Sequence, residues 1–170
     1  SDRDRFLTDR EHTIGQLERG TVVTKFYSKK KPEKKMLAVR RETMLVVWHR
    51  ALSGRNMFEG AVDIRDIKEI RLGKLSRDFE KWSDDCQNIK QGRCFVVYYG
   101  REFNLKTLSV VALAESECDL WIRGLRFLVE DMRKASYQIH QERWFRKSFY
   151  NMENPAKEGT IGLQELKKFM

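Results

Sequence analysis

The chain has few of the residues on which disulfide frameworks, catalytic histidine pairs and transmembrane segments depend. Its three cysteines are odd in number and lack disulfide or zinc spacing, which favours a reducing compartment. Its three histidines lie far apart and near no glycine-rich or nucleophile motif, so we expect none to be catalytic. No apolar run approaches transmembrane length, and no signal peptide opens the chain. We therefore expect a cytoplasmic protein whose contact with a membrane is peripheral.

Basic residues outnumber acidic residues in the sequence. The formal net charge is +9, and a hydrophobic content of 41% is enough for a folded core. Such an excess favours an anionic partner, which could be nucleic acid, an acidic protein or a lipid surface. Nucleic acid is disfavoured, because no strand face carries interleaved aromatic residues and no groove-reading motif occurs.

The charge is concentrated between two apolar runs near the start of the chain. Eight basic residues occur there against one acid, Glu33. They are Lys25, Lys29, Lys30, Lys31, Lys34, Lys35, Arg40 and Arg41. The apolar runs at 22–27 and 36–39 have the character of strands, so the segment predicts a hairpin with a cationic tip. Such a tip is a site for multiply charged anions.

The remaining pattern predicts seven short strands between two helices. Residues 4–19 form a helical pattern that ends at Gly20. The predicted strands are 21–27, 35–41, 43–49, 59–64, 67–71, 93–99 and 102–111. We place a two-residue turn at Gly100-Arg101 and a long polar loop at 73–92. A helix at about 115–134 carries an apolar face on which Trp121 is a core anchor. The pattern is typical of a mostly β, α+β fold, a small barrel or sandwich closed by a helix.

The C-terminal segment has the outline of an EF-hand. A second helix is predicted at about 137–150, followed by a turn-rich segment, Ile161 and a further helical pattern. With Asn154 at loop position 1, Ala156 at position 3 offers no oxygen ligand and Pro155 stiffens the loop, so we expect no calcium binding. Residues 165–170 end within a helical pattern, and we expect the region to be truncated here.

Several motifs together resemble a known family. The strand series, the basic first hairpin and Trp121 in the closing helix are similar to a pleckstrin-homology domain. The runs 64–79, 103–109 and 142–150 resemble phosphoinositide-specific phospholipase C enzymes, the gamma class most closely. The resemblance implies a seven-stranded pleckstrin-homology barrel capped by a helix in residues 1–135 and the start of an EF-hand region in residues 136–170. The catalytic domain and its calcium site would lie outside this chain, which would itself need no cofactor.

The resemblance also implies a phosphoinositide site at the first hairpin. The family motif places a lysine five residues after a glycine, which here is Lys25 after Gly20. The predicted lipid-binding residues are Lys25, Lys29, Lys30, Lys31, Lys34, Lys35, Arg50 and Arg55. Tyr27 and Met36 depart from the pattern, because strong lipid binders often have Lys and Arg at these positions. Clustered lysines would make charge-assisted hydrogen bonds to headgroup phosphates and attract an anionic bilayer.

Two functions remain open. The first is a non-catalytic membrane-targeting module of a signalling phospholipase, recruited to the plasma membrane. The alternative is a protein-interaction or autoinhibitory module, whose partner would be the rest of the parent enzyme or another protein. In that case we expect exposed residues of the 73–92 loop, including Trp82, to make the contact. Cys94 and Cys118 are expected to be buried, whereas Cys86 in the polar loop could be exposed.

Overall fold

A computed structural model of the protein describes residues 1–52 and 57–153. The chain divides into two compact units, Ser1–Val129 and Glu130–Met170. All seven strands lie in the first unit, and the described residues of the second unit are helical. The predicted boundary at 135/136 stays a prediction. Arg55 and the proposed EF-hand loop around Asn154, Pro155 and Ala156 lie outside the described residues.

Seven antiparallel strands form one sheet, which confirms the predicted fold. They are β1 (Thr21–Phe26), β2 (Glu33–Arg40), β3 (Leu45–His49), β4 (Gly60–Asp63), β5 (Ile67–Leu72), β6 (Cys94–Arg101) and β7 (Asn104–Ala112). Their spatial order is β4-β3-β2-β1-β7-β6-β5, so the last strand pairs with the first. The sheet brings the first hairpin between the β3–β4 connection on one side and the β6–β7 hairpin on the other.

Helix α4 (Glu115–Glu153) carries the predicted core anchor. Trp121 is fully buried, its ring stacks 6.4 Å from that of Phe95, and its indole nitrogen donates to Thr21 Oγ1 at 2.8 Å. The sequence predicted two helices here, at 115–134 and 137–150, but a single helix covers both. The reason is local: residues 135 and 136 are Ala and Ser, and neither breaks a helix as Gly or Pro does.

The N-terminal helix α1 (Asp2–Arg19) belongs to the same core. Its buried residues include Ile14 and Leu17, and it ends at Gly20, whose φ of 87° is accessible to glycine. Gly124 of α4 allows close packing, since a Cβ there would lie 2.4 Å from Leu17 Cδ1. The predicted helix at 4–19 is therefore present and starts two residues earlier.

The segment predicted as a long loop contains two short helices, α2 (Arg77–Lys81) and α3 (Ser83–Cys86). Ser76 caps α2, with its hydroxyl accepting from the Phe79 backbone at 3.2 Å. Phe79 and Cys86 are buried in a cluster with Phe26, so the expectation of an exposed Cys86 was wrong. Helices of four or five residues carry too few apolar residues to show a period, which is why the sequence indicated a loop.

The turn between β6 and β7 lies two residues later than predicted. Arg101 pairs with Asn104, so the turn residues are Glu102 and Phe103 rather than Gly100 and Arg101. Glu102 adopts the left-handed conformation at φ 54°, a role that glycine usually fills in such turns. The sequence indicated a turn at Gly100 because glycine is common in hairpin turns. None of the described helices is both long enough and apolar enough to cross a bilayer.

Candidate functional site

The first hairpin presents its basic residues in two different environments. The strand register pairs Lys25 with Glu33 and Thr24 with Lys34, so residues 27–32 form the connecting tip. Lys29, Lys30 and Lys31, which we call the tip lysines, are exposed. Lys34 also faces solvent, whereas Lys25 and Lys35 turn toward the barrel interior with relative exposures of 7% and 3%. The hairpin thus divides its cations into an outer and an inner group.

Lys25 is held between aromatic rings. Its ammonium lies 3.7 Å from the ring centre of Tyr27 and 4.8 Å from that of Trp48. The Trp48 indole packs against Gly60, where an added Cβ would lie 2.2 Å from a ring carbon. Burial lowers the pKa of Lys25 to about 8, although the Asp78 carboxylate favours the charged form. Lys25 therefore stands at the base of the tip with its charge shielded by rings.

Lys35 is neutralised by two carboxylates. Its ammonium lies 2.8 Å from Glu33 Oε2 and 2.7 Å from Glu59 Oε2. Burial would lower the pKa of Lys35, but the hydrogen bonds to Glu33 and Glu59 outweigh it and raise that pKa. The same hydrogen bonds to Lys35 lower the pKa of both carboxyl groups. By alternation along β2, Lys35 shares the face of the buried Leu37. A basic side chain therefore does reach the inner face of β2, although position 36 holds Met instead of Arg.

The two carboxylates also contact other predicted site residues. Glu59 Oε1 lies 3.4 Å from Arg50 Nε, and Glu33 Oε1 lies 3.4 Å from Lys30 Nζ. The structure thus brings Lys25, Lys30, Lys35 and Arg50 to one end of the barrel. Glu59, which sequence reasoning missed, joins them through the β3–β4 connection, where its backbone N–H donates to the Trp48 carbonyl at 2.8 Å. No local pattern signals Glu59, because its pairing depends on the register of β3 and β4.

A wide cleft lies on the other flank of the first hairpin. It measures about 1020 Å³ and separates residues 25–30 from α2 and from the β6–β7 hairpin. Its lining holds six basic side chains against the carboxylates of Asp78 and Glu80. The basic residues are Lys25, Lys29, Lys30, Arg71, Arg77 and Lys106. The cleft could not be predicted from the sequence, because residues 73–92 have the pattern of a loop and α2 forms one of its walls.

Hydrogen bonds fix the wall that α2 forms along this cleft. Asp78 Oδ2 accepts from Thr107 Oγ1 and from Ser109 Oγ, each at 2.7 Å. Trp82 is half-buried and donates its indole N–H to the Tyr27 carbonyl at 2.7 Å. The prediction that Trp82 is an exposed contact residue was therefore wrong, because the side chain supports the base of the first hairpin instead.

His12 and His49 lie in different elements, and each has a local partner. His49 is buried, with Nδ1 2.8 Å from the Arg50 carbonyl, and His12 lies beside Gln16 on α1. Within residues 1–52 and 57–153, no group of three or more His, Cys, Asp or Glu side chains is placed to hold a metal ion. The arrangement at this end of the barrel is suited to binding anions.

The seven-stranded antiparallel sheet closed by a helix defines a pleckstrin-homology domain, and two solved structures are similar to it. The crystal structure of S. officinalis PLC21 aligns with 68% of this chain and 16% of its own at a TM-score of 0.53 and 18% identity. The PH domain from TgAPH aligns with 72% of this chain and 93% of its own at a TM-score of 0.50 and 15% identity. At these identities the likeness shows the fold alone.

Sequence similarity identifies the family. Human 1-phosphatidylinositol 4,5-bisphosphate phosphodiesterase gamma-2 is 37% identical over 155 residues, which cover 91% of this chain and 12% of the relative. No protein-family model matches the chain. The chain belongs to the pleckstrin-homology domains of the gamma class of phosphoinositide-specific phospholipases C. It spans about an eighth of the length of this relative.

Proposed function

We propose that this domain binds anionic membrane surfaces and phosphoinositide headgroups through its first hairpin, and so recruits its parent phospholipase C peripherally to the plasma membrane. The observation that carries the proposal is the exposed cationic tip. Within the described residues, Lys29 and Lys31 make no ion pair, and Lys30 shares Glu33 with Lys35. Their charges are therefore available to an external anion.

The expected attraction is large enough to hold a domain at a membrane. A basic residue near an anionic leaflet contributes about 1 kcal/mol, so the tip lysines together contribute about 3 kcal/mol. Lys34 faces solvent beside them and adds to the same field. Attraction of this kind falls with added salt, because ions screen charges separated by more than the Debye length.

Recognition of a particular headgroup needs a further step at the inner group. Lys35 and Arg50 already contact Glu59, and Lys35 and Lys30 contact Glu33. A headgroup phosphate must displace these carboxylates or bind beside them. We therefore propose that electrostatic attraction is the main contribution, and that selectivity among phosphoinositides is modest and depends on Lys25, Lys35 and Arg50.

We assign lipid hydrolysis, and its calcium requirement, to the remainder of the parent enzyme. The relative with that activity in its name matches this chain over only 12% of its length. The fragment is then a targeting module that hydrolyses no phosphatidylinositol bisphosphate by itself. Turnover by the pure fragment above a buffer control would contradict this assignment.

Vesicle binding tests the proposed function directly. The protein is mixed with phosphatidylcholine vesicles that contain phosphatidylserine or one phosphoinositide, at matched surface charge, and bound protein is measured by flotation. We expect salt-sensitive binding to every anionic vesicle, with small differences among phosphoinositides. Absence of binding to all of them would overturn the proposal and favour the protein-interaction alternative.

A further inference from the structure

Two large apolar side chains of the first unit are completely exposed. Leu52 and Phe103 have relative exposures of 101% and 102%, whereas the other exposed large apolar side chains of the described residues reach 72% at most. Isolated exposed apolar residues are common on protein surfaces and need no explanation by themselves. The position of these two in the fold distinguishes them from the rest.

Both residues lie at the same end of the sheet as the cationic tip. Strands β1 and β3 are each antiparallel to β2, and β1 and β6 are each antiparallel to β7. The chain therefore leaves β1, β3 and β6 at one common end. Leu52 follows β3 there, and Phe103 forms the turn after β6. The two apolar side chains thus flank the tip lysines, one on each side.

Contacts between the connecting segments support this placement. Phe103 lines the same cleft as Lys29 and Lys30, so the β6–β7 turn faces the first hairpin across it. On the other side, the ion pairs of Glu59 with Lys35 and Arg50 join the β3–β4 connection to the hairpin. Leu105, with 61% exposure, extends the apolar surface behind Phe103.

The tip lysines, Leu52 and Phe103 together form a surface that an anionic bilayer can attract in two ways, by charge and by the hydrophobic effect. Phosphate-rich headgroups attract the tip lysines, and acyl chains remove apolar side chains from water. Charge complementarity selects an anionic surface as the occupant, because the exposed tip lysines stand between the two apolar side chains. The exposed Lys106 lines the same cleft as Phe103 and adds to this positive charge. A turn that projects a fully exposed phenyl ring is well shaped to enter the headgroup layer.

We propose that Leu52 and Phe103 insert into the bilayer on either side of the first hairpin while the tip lysines lie at headgroup level. The inference rests on the proposed function, since it requires that this end of the domain faces an anionic membrane. It adds a contribution to binding that salt does not screen. It also fixes the orientation of the domain, because two insertion points and a cationic tip between them define a docking plane.

Serine substitutions test the salt-independent contribution. Phe103→Ser and Leu52→Ser are compared with Leu113→Ser, a control that changes an exposed leucine at the opposite end of β7. Vesicle affinity is measured at about 0.1 M and about 1 M salt, between which the screening length falls from about 10 Å to about 3 Å. We expect Phe103→Ser to weaken binding about tenfold at both salt concentrations, from the lost transfer of a large apolar side chain. We expect the control to change nothing.

A fluorescent probe tests insertion itself. The native thiols of Cys86, Cys94 and Cys118 are buried, and burial raises the pKa of Cys94 to about 11 and that of Cys118 to about 12. A Phe103→Cys variant can therefore be labelled selectively at the turn with an environment-sensitive fluorophore. We expect a blue shift on anionic vesicles and quenching by lipids that carry a quencher on the acyl chain. A label at position 113 should show neither.

The outcomes separate the two proposals. Wild-type protein that binds no anionic vesicle overturns both. Insertion alone is overturned if the wild type binds, both serine variants bind equally well, and the label at position 103 shows no blue shift. Attachment would then be purely electrostatic. Serine variants with weakened binding at both salt concentrations and a quenched label at position 103 support the inference.

Discussion

The tip lysines and the inner pair Lys25 and Lys35 belong to the same hairpin, yet their environments differ in every respect that determines charge. The tip lysines are exposed, and within the described part of the chain only Lys30 of the three has an ion pair, at 3.4 Å from Glu33, and a nearby ring, that of Tyr27. Lys25, in contrast, is buried against two aromatic rings, and Lys35 is buried between two carboxylates. A charge in water is available to any anion that approaches. A buried charge must first lose its existing partner, and that exchange costs free energy.

The difference shows that the number of basic residues in a segment does not give the charge that the folded domain offers to a membrane. The segment from residue 25 to 41 carries eight cations and one acid in sequence, but folding brings in Glu59 from outside it. Glu59 and Glu33 together occupy Lys35 and contact Arg50 and Lys30. The charge offered to a membrane is therefore concentrated at the tip. Four variants test how far the two groups of lysines differ.

The largest expected effect is on vesicle binding by the tip lysines. Changing Lys29, Lys30 and Lys31 together to Ala should reduce affinity for anionic vesicles roughly a hundredfold, from about 1 kcal/mol per charge. The thermal midpoint should hardly change, because the three side chains are exposed. A matched control changes Lys68, Lys81 and Lys90, which are exposed elsewhere on the domain. Equal losses in both variants would show that only net charge matters.

The next effect concerns Lys35 and the stability of the fold. Lys35→Ala leaves Glu33 and Glu59 with only their longer ion pairs to Lys30 and Arg50. We expect the free energy of unfolding to fall by about 2 kcal/mol, since both acids lose their closest cation but remain partly solvated. Denaturant titration measures this. The exposed neighbour Lys34→Ala serves as the control and should cost little. A loss no larger than that of the control would contradict the assignment of Lys35 to the inner group.

The burial of Lys25 should make the free energy of unfolding depend on pH. The fall of its pKa from 10.5 to about 8 corresponds to a cost of about 3 kcal/mol for the charged folded form, and the attraction of the two rings reduces it. We therefore expect Lys25→Met to raise the free energy of unfolding by about 1–2 kcal/mol at pH 7.

The sign of the pH effect follows from the two states of Lys25. Below pH about 8 the amine is charged in both states, and the wild type bears the full cost. From about 8 to 10.5 the folded state loses the proton first, so the wild type gains stability relative to Lys25→Met. Chemical denaturation across this range should show the gap closing. A constant gap between the two proteins would rule out a depressed pKa.

The smallest expected effect tests whether Glu59 competes with a headgroup. Glu59→Gln removes the carboxylate that Lys35 and Arg50 now share, and we expect affinity for phosphoinositide vesicles to rise about fivefold. That gain is about 1 kcal/mol in total, less than the full contribution of two cations, because Glu33 still contacts Lys35. Glu42→Gln, an exposed change of equal charge between β2 and β3, is the control. An equal gain in the control would assign the effect to net charge.

Much of the fold could be predicted because its signals are local. The strands alternate apolar and polar residues, and Trp121 lies on the apolar stripe of a helix that any window of the sequence reveals. The short helices α2 and α3 gave no such signal, and their role depends on the burial of Phe79 and Cys86 against Phe26, some fifty or more residues away in the chain. Tertiary contact, rather than propensity, determines that segment.

The candidate site was predictable only in part for the same reason. The tip lysines are consecutive, and their exposure follows from their position between two strands. The partners of Lys35 are not consecutive: Glu59 is 24 residues away and reaches it only when β3 pairs with both β2 and β4. Likewise, the exposed ring of Phe103 depends on a turn that begins at Glu102 rather than at Gly100.

The hydrogen bond from the Trp82 indole to the Tyr27 carbonyl has a consequence for protein engineering. It anchors the chain at Tyr27, the first residue of the tip, and the pairing of Lys25 with Glu33 anchors the return strand. The five residues between these anchors, 28–32, can therefore be exchanged for segments of other length or charge without altering the barrel. Such grafts would give a series of otherwise identical domains with graded affinity for anionic membranes, in which attachment is tuned independently of folding.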